Sequence, residues 1–209
     1  MAKKVWHGGA LLAPVPPTMV TCSDGEHDNV FTVAWTGIVN TIPPKTYISV
    51  RPSRYSYELI KKSGVFAINL TTKETVRAAD FCGVYTGRKV DKFERCHLTK
   101  VPASEIPCPI LEECPITLEC RVTDCIPLGT HEMFLADIVA VDVDEALINE
   151  DGKLCLDRAN LAAYAHGDYF TLGERIGTFG YSVAKKKKHR KPTPNKQKAA
   201  QKPAPKKGS

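Results

Sequence analysis

No stretch of roughly 18 apolar residues occurs in this 209-residue chain, so no segment is suited to cross a bilayer as a helix. A secretory signal is missing too. The opening MAKKVWHGGALLAPVPP has lysines and a short apolar patch, which Pro14, Pro16 and Pro17 interrupt. These absences predict a cytoplasmic protein with no membrane contact. The eight cysteines include no CxxC pair, which excludes ordinary zinc-site spacing. Cys108, Cys114 and Cys120 have five residues between successive members, and Cys125 follows after four more; that spacing suits an iron–sulfur cluster poorly. His131-Glu132 lacks the HExxH pattern and a third ligand, so no metal site is expected. There is no GxxxxGK[ST] loop and no GxSxG elbow, and Gly173, Gly177 and Gly180 do not follow a strand with Rossmann spacing. A nucleotide site in this chain must be built in another way.

What is present starts with 43% hydrophobic residues, enough for a sizeable core in one domain plus a tail. The net charge of +6 is unevenly distributed. Eleven of the 29 Lys and Arg residues lie in 185–209, where no Asp or Glu occurs. Residues 1–184 therefore hold 18 basic and 23 acidic side chains, a net charge of −5. The expected division is a folded domain over 1–184 and a disordered lysine-rich tail over 185–209, which has no periodic apolar residues. Such a tail can bind nucleic-acid phosphates without sequence preference, although it lacks interleaved aromatics for base stacking. It can equally be a solubilising appendage. With no signal peptide, the cysteines are expected to be reduced, small apolar core residues. A redox-active pair is the sharper alternative.

Strand-like segments outnumber helical ones. Residues 18–24 and 30–39 are rich in Val, Thr, Phe and Trp, with a turn over Asp24–Asn29 between them. Pro43-Pro44 ends the second run, and Tyr47–Val50 is a third strand. A helix is predicted over Ser53–Ser63, with Ser53 as its N-cap and Gly64 as its stop. Val65–Leu70 is a strand, and Thr71-Thr72-Lys73-Glu74 fits a capping box that opens a second helix ending near Gly83. Residues 85–109 form an irregular excursion, the kind of long loop that often carries function. Thr117–Ile126 and Met133–Val143 are long strands, and Leu156–Tyr164 is a short helix or turn. Hairpin-like neighbours dominate over crossovers. The fold class is therefore mainly β, an antiparallel barrel with a few peripheral helices.

Three constellations can carry chemistry. Arg51-Pro52-Ser53-Arg54-Tyr55-Ser56 puts two guanidiniums and two serine hydroxyls where a strand passes into a helix. Unpaired N–H groups at a helix start, joined by forked arginine bonds, suit a terminal phosphate. The plainer reading is a capping serine and two solvated arginines. Trp35, beside Ala34 and Thr36 and between Asn29 and Asn40, offers an aromatic face with neutral hydrogen-bonding groups, fitting the rim of a flat polar ring. Trp35 can also be simple core. Thr86–Phe93, with Arg88, Lys89 and Lys92, can close over a phosphate or ring, or be a solvated charged loop. A phosphate at one end and a ring at the other describe a mononucleotide, and a flavin fits best.

These residues carry a family resemblance. Asp28–Ile60, Ser63–Leu70, Phe81–Phe93, Gly129–Val141 and Tyr169–Ser182 together resemble the flavin reductase-like, FMN-binding split-barrel family, and within it the flavoredoxins. The resemblance spans most of residues 10–183 and omits the tail. It implies a six-stranded Greek-key split barrel that dimerises, with FMN near the dimer interface. By position it implies that Asn29, Trp35, Ser56, Lys92, His131 and Tyr164 contact FMN, and Thr36, a hydroxyl beside Trp35, is counted with them from the residue reading. The loop with Arg51, Ser53, Arg54, Tyr55 and Ser56 would hold its phosphate. Two redox roles follow from it. One is an NAD(P)H-dependent oxidoreductase that passes electrons through FMN to a flavin, a metal or another acceptor. The other is an electron carrier between protein partners. Neither needs a catalytic residue beyond the flavin.

Overall fold

The run over residues 30–39, strand-like throughout in sequence, is broken at Ala34-Trp35 in the computed structural model, which describes residues 1–184. The break has a physical cause. Strand β2 (Asp28–Val33) pairs with β1 (Thr18–Ser23), whereas β3 (Thr36–Thr41) pairs with β4 (Pro44–Val50), so the chain must change partners in between. The Trp35 carbonyl stays in use, accepting the Ser49 N–H at 2.9 Å. The remaining strands of the main sheet are β5 (Val65–Asn69), β8 (Ile116–Pro127) and β9 (Glu132–Val143). Two small strands, β6 (Lys100–Pro102) and β7 (Pro109–Leu111), form a separate hairpin.

All pairs of the main sheet are antiparallel, in the order β2-β1-β5-β8-β9-β4-β3. The two outer strands are successive halves of one segment, 28–41. Counted as a single strand bent at Ala34-Trp35, that segment gives the six strands expected. No hydrogen-bond ladder joins β2 to β3. Register shifts at Glu119/Cys120 and Val122/Asp124 bend the long β8–β9 ladder, as bulges do.

Helix α1 (Tyr55–Ser63) lays Tyr57, Leu59 and Ile60 onto the same core as Val20, Phe31, Ile48, Phe66 and Phe134. Each such side chain, when fully buried, contributes about 1.5–3 kcal/mol. Gly64 ends α1 in the left-handed region at φ 69°, as its sequence position predicts, and its N–H bonds the Ile60 carbonyl. Helix α2 (Val76–Val84) packs beside β2, with Thr32 Oγ1 donating to the Ala79 carbonyl. Helix α3 (Lys92–Cys96) is capped by Asp91, whose carboxylate accepts the Phe93 and Glu94 N–H groups at 2.9 and 3.2 Å.

Several local expectations change. Ser53 does not cap α1, because a turn from the Arg54 N–H to the Arg51 carbonyl (2.9 Å) occupies 51–54 and leaves Arg54 as the cap residue. Thr71 and Glu74 do not form a capping box. Instead Thr72 and Thr75 bond each other reciprocally, at 2.9 and 3.3 Å, just before α2. Strand β4 opens at Pro44, three residues before the predicted start at Tyr47. The excursion over 85–109 contains α3 and the β6–β7 hairpin's first strand. Leu156–Tyr164 has a single 3-10 turn at Leu156–Arg158 and then β10 (Ala162–Ala165), which pairs with β11 (Asp168–Thr171). The two-residue turn joining them, His166-Gly167, has φ 51° and 107°, the left-handed pair that such hairpins require.

All eight cysteines are free, and five are buried. Burial pushes the thiols of Cys22, Cys82 and Cys114 up to about 12, so they are held as neutral, unreactive groups. Met1–Glu174 makes one compact unit, and the described residues after it, 175–184, hold a 3-10 turn at Tyr181–Val183. The lysine-rich segment 185–209 lies outside the described residues. Among the described residues, no helix is long and apolar enough to cross a membrane.

Candidate functional site

Two cavities meet where β2, β4 and the start of α1 converge. The first, of about 240 Å³, is lined by Asn29 and Phe31 of β2, by Arg51, Ser53, Arg54, Tyr55 and Ser56, and by Tyr85, Thr86, Gly87 and Lys92. The second, of about 370 Å³, runs along Phe31–Trp35, Ser49–Arg51, Arg54 and His131. Phe31, Arg51 and Arg54 line both, so the two form one groove around a pair of guanidiniums.

The floor of the first cavity is a buried polar cluster. Asn29 is 4% exposed and donates from Nδ2 to Ser56 Oγ at 2.7 Å. Gly87 closes this floor from the opposite side. A Cβ there would stand 2.1 Å from Asn29 Oδ1 and 3.1 Å from Tyr55 Cδ1, so only glycine fits. Arg88 then lies over the Tyr55 ring, with Cζ 5.0 Å from its centroid. Lys92 is buried and donates to the carbonyls of Val30 (2.8 Å) and Cys82 (2.9 Å), committing two of its three donors. Burial lowers its amine to about 8, with the nearby Cys82 thiol opposing the shift.

Arg51 and Arg54 are exposed toward the groove and enter no ion pair among the described residues. They stand just before α1, where the Tyr57 N–H bonds the Arg54 carbonyl at 3.1 Å and the Tyr55 and Ser56 N–H groups precede any intrahelical partner. The set has the chemistry suited to an anion. In the second cavity Trp35 is 39% exposed, which excludes the reading of it as plain core. His131 holds Thr130 Oγ1 at 2.9 Å through Nδ1, and burial followed by the neighbouring Arg51 charge lowers its pKa. Its imidazole is therefore biased toward the neutral form.

Nine of the eleven residues anticipated from sequence line this groove. Thr36 does not, because its hydroxyl donates to the Tyr47 carbonyl at 2.6 Å and is spent on the β3–β4 ladder. Tyr164 lies on β10, where its carbonyl and N–H bridge to Val15 and its ring packs on Tyr169 at 5.4 Å, and it lines neither cavity. Asn40 is likewise committed, donating to the Pro43 carbonyl at 2.7 Å in the hairpin turn. Sequence reasoning missed Phe31, Tyr85 and Ser49. Phe31 reads as ordinary strand core, and only the change of pairing partner after Val33 would have signalled that its ring borders an opening.

The chain's sequence and fold find their match in known proteins. The sequence fits the flavin reductase like domain over residues 11–173. The chain belongs to the flavin reductase-like family. Flavoredoxin of Desulfovibrio vulgaris (Miyazaki F) superposes with a TM-score of 0.82 at 29% identity, covering 88% of this chain and 100% of that one. Flavoredoxin from Methanosarcina acetivorans gives 0.78 at 26% identity, with the same coverage. The NADPH-flavin oxidoreductase of Streptomyces viridifaciens is 29% identical over 149 residues, 68% of this chain and 74% of that protein. As a flavin reductase-like protein, the chain has the split-barrel fold and a flavin-related redox role. The donor set fits a flavin mononucleotide: two unpaired guanidiniums and a helix start for a phosphate, and Trp35 with neutral polar neighbours for a ring.

Proposed function

We propose that the groove binds FMN and that the protein is an NAD(P)H-dependent oxidoreductase passing electrons on to a flavin, a metal ion or another acceptor. The observation that carries this reading is the pair Arg51 and Arg54 at the start of α1, in no ion pair among the described residues, beside a cavity walled by Trp35. Arg51 and Arg54 would hold the phosphate through charge-assisted forks, with Ser53 and the first amides of α1. Asn29 and Ser56 would fix the floor, and Tyr55, held by Arg88 and abutting Gly87, would position one wall. Trp35 and His131 would border the ring. A bound flavin supplies the two-electron redox chemistry; the chain supplies binding, orientation and shielding from water.

Lys92, by its charge, and His131, as a neutral hydrogen-bond donor, are the groups suited to stabilise a reduced ring. Lys92→Met and His131→Ala should each lower the flavin midpoint potential, and unchanged potentials in both would remove this role. A homodimer remains part of the reading, supported by the exposed apolar side chains Ile38, Val39 and Ile42 on the β3–β4 hairpin. Tyr164 would then complete the pocket of the partner copy. Sedimentation at micromolar concentration tests this, and a monomer would exclude it.

The full-length likeness to two flavoredoxins favours one second reading, an electron carrier between proteins. Anaerobic mixing of the FMN-loaded protein with NADH or NADPH separates the two. Rapid bleaching at about 450 nm supports the oxidoreductase, by ordinary flavin chemistry. Reduction only by dithionite or a protein donor supports the carrier.

A further inference from the structure

Behind the groove, α2 and α3 enclose another cavity, of about 390 Å³, whose lining includes Arg77, Phe81, Arg95 and His97. Its cations are uncommitted. Neither Arg77 nor Arg95 joins an ion pair among the described residues. The one acid in the lining, Glu74, is already engaged, accepting Asn160 Nδ2 at 3.3 Å. His97 stands at φ 53°, a backbone conformation uncommon for a non-glycine residue, which ends α3 and turns the chain at the cavity. Arg95 lies over the Phe81 ring, with Cζ 5.9 Å from its centroid.

The cavity is joined to the groove by an aromatic pair. Phe81 stacks on Tyr85, with centroids 4.4 Å apart and planes at 21°. Tyr85 lines the first cavity and Phe81 this one, so the two sites share a wall two rings thick.

We propose that this cavity takes the phosphorylated adenosine end of the nicotinamide donor, and so selects NADPH over NADH. The inference rests on the reading that the groove holds a flavin reduced by such a donor. A phosphate monoester carries close to two negative charges at neutral pH and is best met by paired guanidiniums. Arg77 and Arg95 supply them, and His97 adds a donor. A concave site with this donor set fits a nucleotide better than the flat surface of an acidic protein.

The test uses the full chain loaded with FMN. Calorimetric titration with 2′,5′-ADP and with 5′-AMP should show the first binding about 10- to 100-fold more tightly, the range for charge-assisted bonds to one phosphate. Inorganic phosphate should compete only weakly. The Arg77→Ser/Arg95→Ser variant should lose that difference and raise the KM for NADPH by a similar factor, leaving NADH turnover unchanged. Arg77→Ser alone, a change at an exposed side chain, should move both readouts part of the way if the double variant folds poorly. Equal binding of the two nucleotides by the unaltered protein would overturn the proposal. Competition by inorganic phosphate as strong as by 2′,5′-ADP would overturn it too, as would equal losses with NADPH and NADH. A protein that binds FMN but oxidises neither nicotinamide refutes the donor reading instead, and the 2′,5′-ADP titration still decides the cavity.

Discussion

Gly87→Ala is the sharpest single perturbation of the groove. The added methyl would sit 2.1 Å from Asn29 Oδ1, 2.7 Å from Asn29 Cγ and 3.1 Å from Tyr55 Cδ1. Asn29 cannot swing away freely, since it is buried and bonded to Ser56. Overpacking of this kind costs about 1–3 kcal/mol. Breaking the Asn29–Ser56 bond adds about 0.5–1.5 kcal/mol. If the 85–88 loop moves out to escape the clash, the cost falls on flavin binding, and the FMN Kd should rise about 10- to 100-fold. If Asn29 moves instead, the flavin-free protein should melt lower, by about 2–4 °C per kcal/mol for a domain of this size. Flavin fluorescence titration and thermal unfolding of the flavin-free protein measure the two shares. A variant that matches the unaltered protein in both would refute the argument that Gly87 exists to let the loop meet Asn29.

Two titrations make further predictions. The amine of Lys92 is lowered to about 8 by burial, whereas an unfolded lysine titrates near 10.4. Its charge therefore penalises the native state at and below about pH 8, and the penalty is relieved as pH rises toward the unfolded value. Lys92→Met should flatten the corresponding rise in stability between about pH 8 and 10, measured by urea denaturation; an unchanged slope would contradict the assignment. Glu119 and Asp142 form the other case. Burial raises the Glu119 carboxyl, but bonds from the Ser104 hydroxyl and N–H and the Glu105 N–H outweigh it and hold the group low. Asp142 is raised by burial and by Glu119, and its Oδ2 has no donor, so a retained proton shared toward Glu119 completes the pair. The native state then loses stability as pH rises from the ordinary aspartate value through the raised one. Asp142→Asn keeps a donor and should abolish that loss; a variant that remains as pH-sensitive as the parent would refute the shared proton.

The strands were legible because their composition and turn residues agree with their final positions. Gly64 ends α1 as its position predicts, since a left-handed helix end tolerates little else. That Arg51, Ser53, Arg54 and Ser56 line one cavity was legible for a chemical reason: two arginines and two serines at a strand-to-helix passage have few other joint uses. What local sequence does not record are features decided by distant partners. The bend at Ala34-Trp35 depends on β1 and β4 competing for successive halves of one segment, which no local pattern records. Ser53 loses its capping role to a turn set by Arg51 and Arg54. Thr36 and Asn40 have the right groups for a ligand, but backbone carbonyls nearby claim them first. Tyr164 matched a family position, yet the fold of one chain leaves it beside Val15 and Tyr169.

The account turns on a phosphate held by Arg51 and Arg54 at the start of α1. Parallel titration with FMN and riboflavin, which differ only by that phosphate, tests it most directly. The unaltered protein should bind FMN about 10- to 100-fold more tightly, and Arg51→Ala/Arg54→Ala should bring FMN down to the riboflavin level without weakening riboflavin. Equal affinity for the two flavins in the unaltered protein, or an FMN preference that survives loss of both arginines, would contradict it.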